Sequence, residues 1–129
     1  MASGNYDNAD AYFESALKRT PDDYAGLLMM AKCQMLKENL SNAARFAEKA
    51  RRVYPEEAQA CNINGFIKLK KKKYPSALKE FNLYDRRLPG NPQVGFYIGY
   101  CFEEMGNKKA AAEKYYDYLK VVNSGDNAK

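Results

Sequence analysis

The fold is decided by a stretch of 34 residues that runs from Ala58 to Asn91 and reads AQACNINGFIKLKKKKYPSALKEFNLYDRRLPGN. It contains two apolar segments with helical spacing, separated by a polar, lysine-rich turn and closed by a proline. Apolar residues that recur every three to four positions predict an amphipathic helix. The stretch therefore predicts two helices joined by a short turn, which together form a helical hairpin.

The same stretch repeats along the chain in a fixed register. Pro21, Pro55 and Pro89 lie 34 residues apart, with Asn123 in the fourth slot. Two columns of small residues follow the same spacing: Ala9, Ala43, Ala77 and Ala111 form one, and Ala31, Gly65 and Gly99 form the other. A period of this length is typical of stacked helical repeats. We expect the small residues to lie where the two helices of one hairpin approach closely.

Local signals mark several helix starts. Asp22 or Asp23 is suited to cap the helix that follows them, and Ser41 to cap the next one. Pro75 suits the first turn of a further helix, because its missing N–H would have no partner there.

Composition argues against catalysis within this chain. It has 129 residues, 46% of them hydrophobic, and no histidine. Without histidine the commonest general base and the usual nucleophile-activating pairs are missing. Adjacent acids such as Glu103 and Glu104 point apart on a helix and form no acid–base pair. We therefore expect no enzyme activity, cofactor or metal site in this chain, and any associated catalysis would belong to another domain or partner.

The three cysteines, Cys33, Cys61 and Cys101, form no C-x-x-C pair and are expected to be buried. Their odd number slightly favours a reducing compartment such as the cytoplasm. No run of eighteen apolar residues is present, and no signal peptide is recognisable at the start, so we expect no membrane-spanning helix.

These columns resemble the tetratricopeptide repeat family, whose pattern places small residues at unit positions 8, 20 and 27, an aromatic at 24 and proline at 32. The resemblance implies an all-α, right-handed superhelical solenoid of antiparallel hairpins with about 3.5 repeats. The implied units are the second half of a first repeat at 4–23, full repeats at 24–57, 58–91 and 92–125, and a truncated tail at 126–129. Both ends look cut, so we expect an excised domain with uncovered ends that could self-associate.

Position 27 departs from the family pattern, because Tyr84 and Tyr118 stand where alanine is usual. The next unit has Gly95 at position 4, where a large residue is normal. We expect the Tyr84 ring to fill the gap at Gly95, and a leucine there to destabilise the fold.

The resemblance also implies a function. In this family the first helix of each repeat lines a concave face, and positions 2, 5, 9, 12 and 13 contact peptides. The implied site residues are Leu28, Lys32, Met35, Gln59, Asn62, Phe66, Leu69, Gln93, Phe96, Tyr100 and Glu103. They predict a scaffold that binds a protein or peptide segment, with aromatic anchors and amide groups that bond its backbone. Phe66 and Phe96 could instead be core residues. Some members of this family hold the C-terminal carboxylate of a peptide with a set of lysine, asparagine and arginine side chains. Only Lys32 offers a cation near the required place, so we do not expect such a clamp here.

The positive charge of the chain is concentrated in residues 58–91, which carry a net charge of +6, whereas the whole chain carries +5. A possible basic patch consists of Lys68, Lys70, Lys71, Lys72 and Lys73. Cations at the end of a helix complement its dipole, which explains the run without a ligand. The alternative is contact with a polyanion or a membrane surface. Nucleic acid is disfavoured because aromatic residues do not interleave with the lysines.

Residues 96–100, 105–107 and 115–120 are also similar to the closing repeats of some bacterial envelope proteins, including the tetratricopeptide tails of zinc-dependent proteases. This resemblance implies an alternative in which the chain is an accessory domain of a larger protease. Such a domain would position substrate or partner in the bacterial periplasm.

Overall fold

The computed structural model describes the backbone of residues 2–127 and the side chains of residues 6–122. This backbone forms seven α-helices and no strand. The helices are α1 (Ala2–Arg19), α2 (Tyr24–Leu36), α3 (Leu40–Val53), α4 (Gln59–Lys70), α5 (Tyr74–Arg87), α6 (Pro92–Glu104) and α7 (Lys108–Asn127). The prediction of an all-α fold is confirmed.

The helices stack in chain order. The closest associations lie within the pairs α2/α3, α4/α5 and α6/α7, each of which is joined by a turn of three residues. Helix α1 packs on α2, α3 packs on α4, and α5 packs on α6. Each pair therefore contacts the pair before or after it, as expected for a solenoid.

Predictions of helix ends are partly confirmed. The Asp23 carboxylate accepts a hydrogen bond of 3.1 Å from the Gly26 N–H at the start of α2, and Pro75 lies in the first turn of α5. Ser41 is not a cap, because α3 already begins at Leu40. Helix α7 continues through residues 126 and 127, which we expected to form a separate tail; Ala128 and Lys129 lie outside the described residues.

Two kinds of polar contact join neighbouring hairpins. The Arg51 guanidinium on α3 donates a 2.5 Å hydrogen bond to the Glu80 carboxylate on α5. One nitrogen of Arg87, at the end of α5, donates to the carbonyl oxygens of Pro55 and Glu57 at 2.8 and 3.3 Å. The Arg87 side chain therefore fastens the α3–α4 connection to the following hairpin.

The glycines of the first helices make room for aromatic rings. A Cβ added to Gly65 would lie 2.7 Å from the Phe81 ring, and one added to Gly99 would lie 3.0 Å from the Tyr115 ring. In the α2/α3 pair the corresponding residues are Ala31 and Ala47, both fully buried in one core cluster. In the α4/α5 and α6/α7 hairpins, a glycine on the first helix therefore faces an aromatic ring on the second. In the α2/α3 hairpin, an alanine stands at both positions.

Tyr84 does not fill the space at Gly95, so that prediction is wrong. The ring is buried in a core cluster with Val94 and Ile98, and its hydroxyl accepts a hydrogen bond from the Asn91 side chain at 3.4 Å. Apart from its two chain neighbours and the local backbone of α6, no atom lies within 4 Å of a Cβ added to Gly95. Gly95 instead borders an open cleft between α6 and α7. A leucine at position 95 would therefore not clash with Tyr84, and the predicted destabilisation of the fold loses its physical reason.

Replacing Gly95 with alanine should stabilise the protein, and the same change at Gly65 should destabilise it. Alanine in an open helical position is favoured over glycine by about 0.5–1 kcal/mol. At Gly65 the added methyl group would overlap the Phe81 ring, and overpacking costs about 1–3 kcal/mol. Urea unfolding followed by far-ultraviolet circular dichroism measures both changes. Destabilisation by Gly95→Ala would contradict the open geometry at that position.

The three hairpin turns share one backbone conformation. The residues Glu38, Lys72 and Gly106 have positive φ values of 63°, 61° and 87°. The residue after each one donates a backbone hydrogen bond five residues back, as in the 2.9 Å bond from the Lys73 N–H to the Lys68 carbonyl. This arrangement is the Schellman motif, in which glycine is the preferred left-handed residue. Only the last turn has that glycine.

We predict that Lys72→Gly increases the free energy of unfolding by about 1 kcal/mol, because the Cβ strain of a left-handed residue is removed. Lys71→Gly is the matched control. It removes the same charge at a residue whose φ is −84°, where a side chain causes no strain, so it should not stabilise the protein. Equal effects of the two substitutions in urea unfolding would show that charge, not backbone strain, is responsible.

All three cysteines are free and buried, as predicted. Burial raises the pKa of each thiol, and it raises the pKa of Cys101 to about 11. In the unfolded chain a thiol has a pKa of about 8.5. The folded state therefore loses stability as the pH rises above that value, since the unfolded thiols ionise first.

Thiol reagents should react slowly with the folded protein at pH 8 and quickly in urea, because the thiolate is the nucleophile and is disfavoured in the core. A Ser76→Cys variant supplies an exposed thiol on α5 as the control, and it should react at once with one equivalent of Ellman's reagent. Rapid reaction of the unsubstituted protein under native conditions would contradict the buried placement.

Candidate functional site: the face of the first helices

The predicted concave face consists of side chains from α2, α4 and α6, the first helices of the three hairpins. Helix α2 contacts α4 directly, and the Phe66 ring on α4 meets the Tyr97 ring on α6 edge to face with centroids 4.7 Å apart. The three helices therefore follow one another along one side of the stack. The predicted site residues on this side divide into a surface group and a buried group.

The surface group lies on all three helices. Lys32, Gln59, Gln93 and Glu103 are exposed, and Phe96 retains 38% of its accessible surface. Asn62, Phe66, Leu69 and Tyr100 are half-buried. Phe66 and Leu69 also pack against a core cluster, so the alternative that Phe66 has a structural role has direct support.

The buried group consists of Leu28 and Met35, and for these two the prediction is corrected. Their side chains are 7% and 8% exposed and belong to core clusters with residues of α3 and α4. Helix α2 is packed between α1, α3 and α4, so little of its surface remains free. The large exposed apolar side chains of α2 are Met29 and Leu36, which were not among the predicted site residues.

Tyr97 is a further residue that reasoning from the sequence missed. Its ring stacks on Phe81 with centroids 5.7 Å apart and meets Phe66 and Phe96 edge to face. It therefore links the core of the α4/α5 hairpin to the surface of α6. The sequence did contain a signal for this residue, because Tyr97 stands next to Phe96 in a run of aromatic residues.

An open cavity of about 250 Å³ lies between α6 and α7, and we refer to it as the aromatic cleft. It is lined by Phe96, Glu103, Tyr115, Tyr118 and Leu119. The centroid of the Phe96 ring lies 5.3 Å from the ring centroids of both Tyr115 and Tyr118. A second cavity of about 190 Å³ lies beside it and is lined by Gln93, Phe96, Tyr97 and Tyr118.

A hydrogen bond fixes the one charged group of the aromatic cleft. The Tyr115 hydroxyl donates to a Glu103 carboxylate oxygen at 2.7 Å. Burial, followed by this hydrogen bond, raises the pKa of Tyr115 above its ordinary value of 10.0. The hydroxyl therefore remains a donor throughout the physiological pH range and holds the carboxylate in place.

The basic patch lies at the end of α4 and in the turn that follows. Lys70, Lys72 and Lys73 are exposed, whereas Lys68 and Lys71 are half-buried. Within residues 6–122, the side chains of these five lysines form no ion pair. Lys37, in the preceding hairpin, is by contrast paired with Asp7 and Asp10 of α1 at 2.7 and 2.6 Å.

Metal-binding clusters and membrane-spanning helices are both absent from the part of the chain that the structure describes. There, no group of three histidine, cysteine, aspartate or glutamate side chains is placed to hold a metal ion. None of the described helices is both long enough and apolar enough to cross a membrane.

Comparison with known families gives a direct match. Two models of the tetratricopeptide repeat match this sequence, one over residues 1–63 and the other over residues 93–121. Together they span well over half of the chain. The chain belongs to the tetratricopeptide repeat family. A comparison with curated protein sequences found no match.

Solved structures of tetratricopeptide proteins share the fold. The structure of MamA from Desulfovibrio magneticus RS-1 superposes with a TM-score of 0.86 at 17% identity, covering 95% of this chain and 70% of that one. Another MamA crystal structure gives 0.82 at 19% identity, covering 92% and 69%. YrrB, described as a tetratricopeptide protein with an unusual peptide-binding site, gives 0.76 at 19% identity, covering 84% and 56%. At these identities the likeness establishes the fold.

Proposed function

We propose that this tetratricopeptide chain is a non-catalytic scaffold that binds a segment of a partner protein along the face of α2, α4 and α6. The observation that carries the proposal is the side-chain chemistry of α4 and α6. Phe96 and Tyr100 carry rings that are partly exposed, and Gln59, Asn62 and Gln93 carry amides that are exposed or half-buried. We assign all five to one face from their positions in the repeat.

This combination suits an extended or helical peptide. Aromatic side chains at an interface supply a large contact area and often dominate the binding energy. Amide side chains can donate hydrogen bonds to the peptide backbone and accept hydrogen bonds from it. These bonds do not depend on the side chains of the peptide. The peptide-binding site described for YrrB supports the same function for a related fold.

The proposal includes the division of the chain into repeat units at 24–57, 58–91 and 92–125. The hairpins α2/α3 and α4/α5 fall within the first two units, and α6/α7 begins at the start of the third. The bounds themselves stay a prediction, as does the half-repeat at 4–23.

A peptide selected from a random library on the immobilised chain provides a probe for the test. Nuclear magnetic resonance titration of that peptide should shift the signals of α2, α4 and α6. Tyr100→Ala should weaken binding by about 1–2 kcal/mol, as is usual for an aromatic anchor. We prefer Tyr100 to Phe66 because Phe66 also supports the core.

The double variant Lys71→Glu with Lys72→Glu is the matched control, and it should leave peptide affinity nearly unchanged. The opposite pattern, with the lysine variant weakening binding and Tyr100→Ala having no effect, would contradict the proposal. It would favour the basic patch as the contact surface, in which case heparin should compete with the peptide in a salt-dependent way.

A further inference from the structure

The aromatic cleft combines two kinds of group that attract a cation. Three of its five lining residues are aromatic, and the faces of aromatic rings attract positively charged side chains. Its only charged residue is Glu103, whose carboxylate is held by the Tyr115 hydroxyl. A carboxylate accepts several hydrogen bonds, so one bond from Tyr115 leaves acceptor capacity for a second donor.

No lysine or arginine is among the five residues that line the cleft. Helix α6 contains no lysine or arginine, and Glu103 is followed by a second acid, Glu104. No ion pair among residues 6–122 involves either acid. On α7, Lys114 borders the separate cleft near Gly95, and the Lys120 ammonium lies 6.0 Å from the centre of the Tyr116 ring.

The size of the aromatic cleft restricts its occupant. At about 250 Å³ it falls below the roughly 300–1,000 Å³ of pockets that hold drug-sized ligands. Leu119 and Phe96 supply an apolar wall, and Glu103 lies among the same lining residues. This arrangement matches a long side chain with an aliphatic stem and a charged head, the combination found in arginine and lysine.

We propose that the aromatic cleft binds an arginine or lysine side chain of the partner protein. The aliphatic stem lies along Phe96 and Leu119, the head pairs with the Glu103 carboxylate, and the tyrosine rings supply cation–π contacts. Arginine is favoured over lysine, because its planar guanidinium both stacks on rings and bonds a carboxylate in two places. This inference rests on the proposed function, since it assigns one position of the bound segment.

The test uses acetyl-arginine amide as the probe and compares it with acetyl-citrulline amide and acetyl-leucine amide. Citrulline has nearly the same shape as arginine but carries no charge. Nuclear magnetic resonance titration of the full chain should show arginine-induced shifts at Phe96, Tyr115, Tyr118 and Leu119. Arginine should bind about threefold to thirtyfold more tightly than citrulline, the range expected from one exposed ion pair plus one exposed cation–π contact.

Variants separate the charge from the shape of the cleft. Glu103→Gln keeps an acceptor for the Tyr115 hydroxyl but removes the charge, so it should abolish the preference for arginine over citrulline. Glu113→Gln, an exposed acid on α7, is the matched control and should leave that preference intact. Tyr118→Leu should weaken arginine binding while leaving the circular dichroism spectrum unchanged.

Equal affinity for arginine and citrulline, tighter binding of leucine, or an unchanged preference in Glu103→Gln would each overturn the assignment. The proposed function can fail separately. A library peptide that shifts α4 and α6 while arginine amide does not bind would reject the cleft assignment alone. Arginine binding in the cleft, without any peptide bound along the three helices, would reject the proposed function alone.

Discussion

The close approach of the two helices within each hairpin is the constraint on which the rest of the structure depends. At Gly65 the absence of a side chain lets the Phe81 ring lie directly on the backbone of α4. Phe81 is fully buried, and it packs against both Phe66 and Tyr97. One ring therefore sets the spacing inside a hairpin and also contacts the next hairpin. The surface aromatic residues of α6 take their position from this internal packing.

The sequence period was sufficient to predict the helices, the hairpins and the family, because each column of small residues marks the same helix–helix contact in successive units. Side-chain direction was harder to predict. In α2 the run from Leu27 to Ala31 is apolar throughout, so it has no polar side from which to infer the exposed face. Leu28 and Met35 were assigned to the surface from their positions in the repeat, whereas they are buried.

Glycine also has an ambiguous meaning in a sequence. Gly65 and Gly95 both lie in first helices, yet one marks a backbone in contact with a ring and the other marks open space. Gly65 lies in a repeated column of small residues and Gly95 does not, but only the structure shows that the space beside Gly95 is open. The aromatic cleft was hidden for the same reason, since Glu103 and Tyr115 are 12 residues apart and meet only when α6 and α7 fold together.

The contacts between hairpins differ in chemistry along the stack. The junction of α3 with α4 and α5 combines two kinds of contact. Ala43, Ala47 and Ala50 of α3 pack in core clusters with side chains of α4. The Arg51–Glu80 pair and the Arg87 bonds to loop carbonyls add polar, partly exposed contacts. The junction of α5 with α6 is formed by buried rings and aliphatic side chains. Salt screens exposed charges but leaves apolar contacts intact. The two junctions therefore differ in their response to ionic strength. Among the described side chains, an ion pair joins α3 to α5 and none joins α5 to α6, so added salt weakens charged contacts in the earlier junction alone.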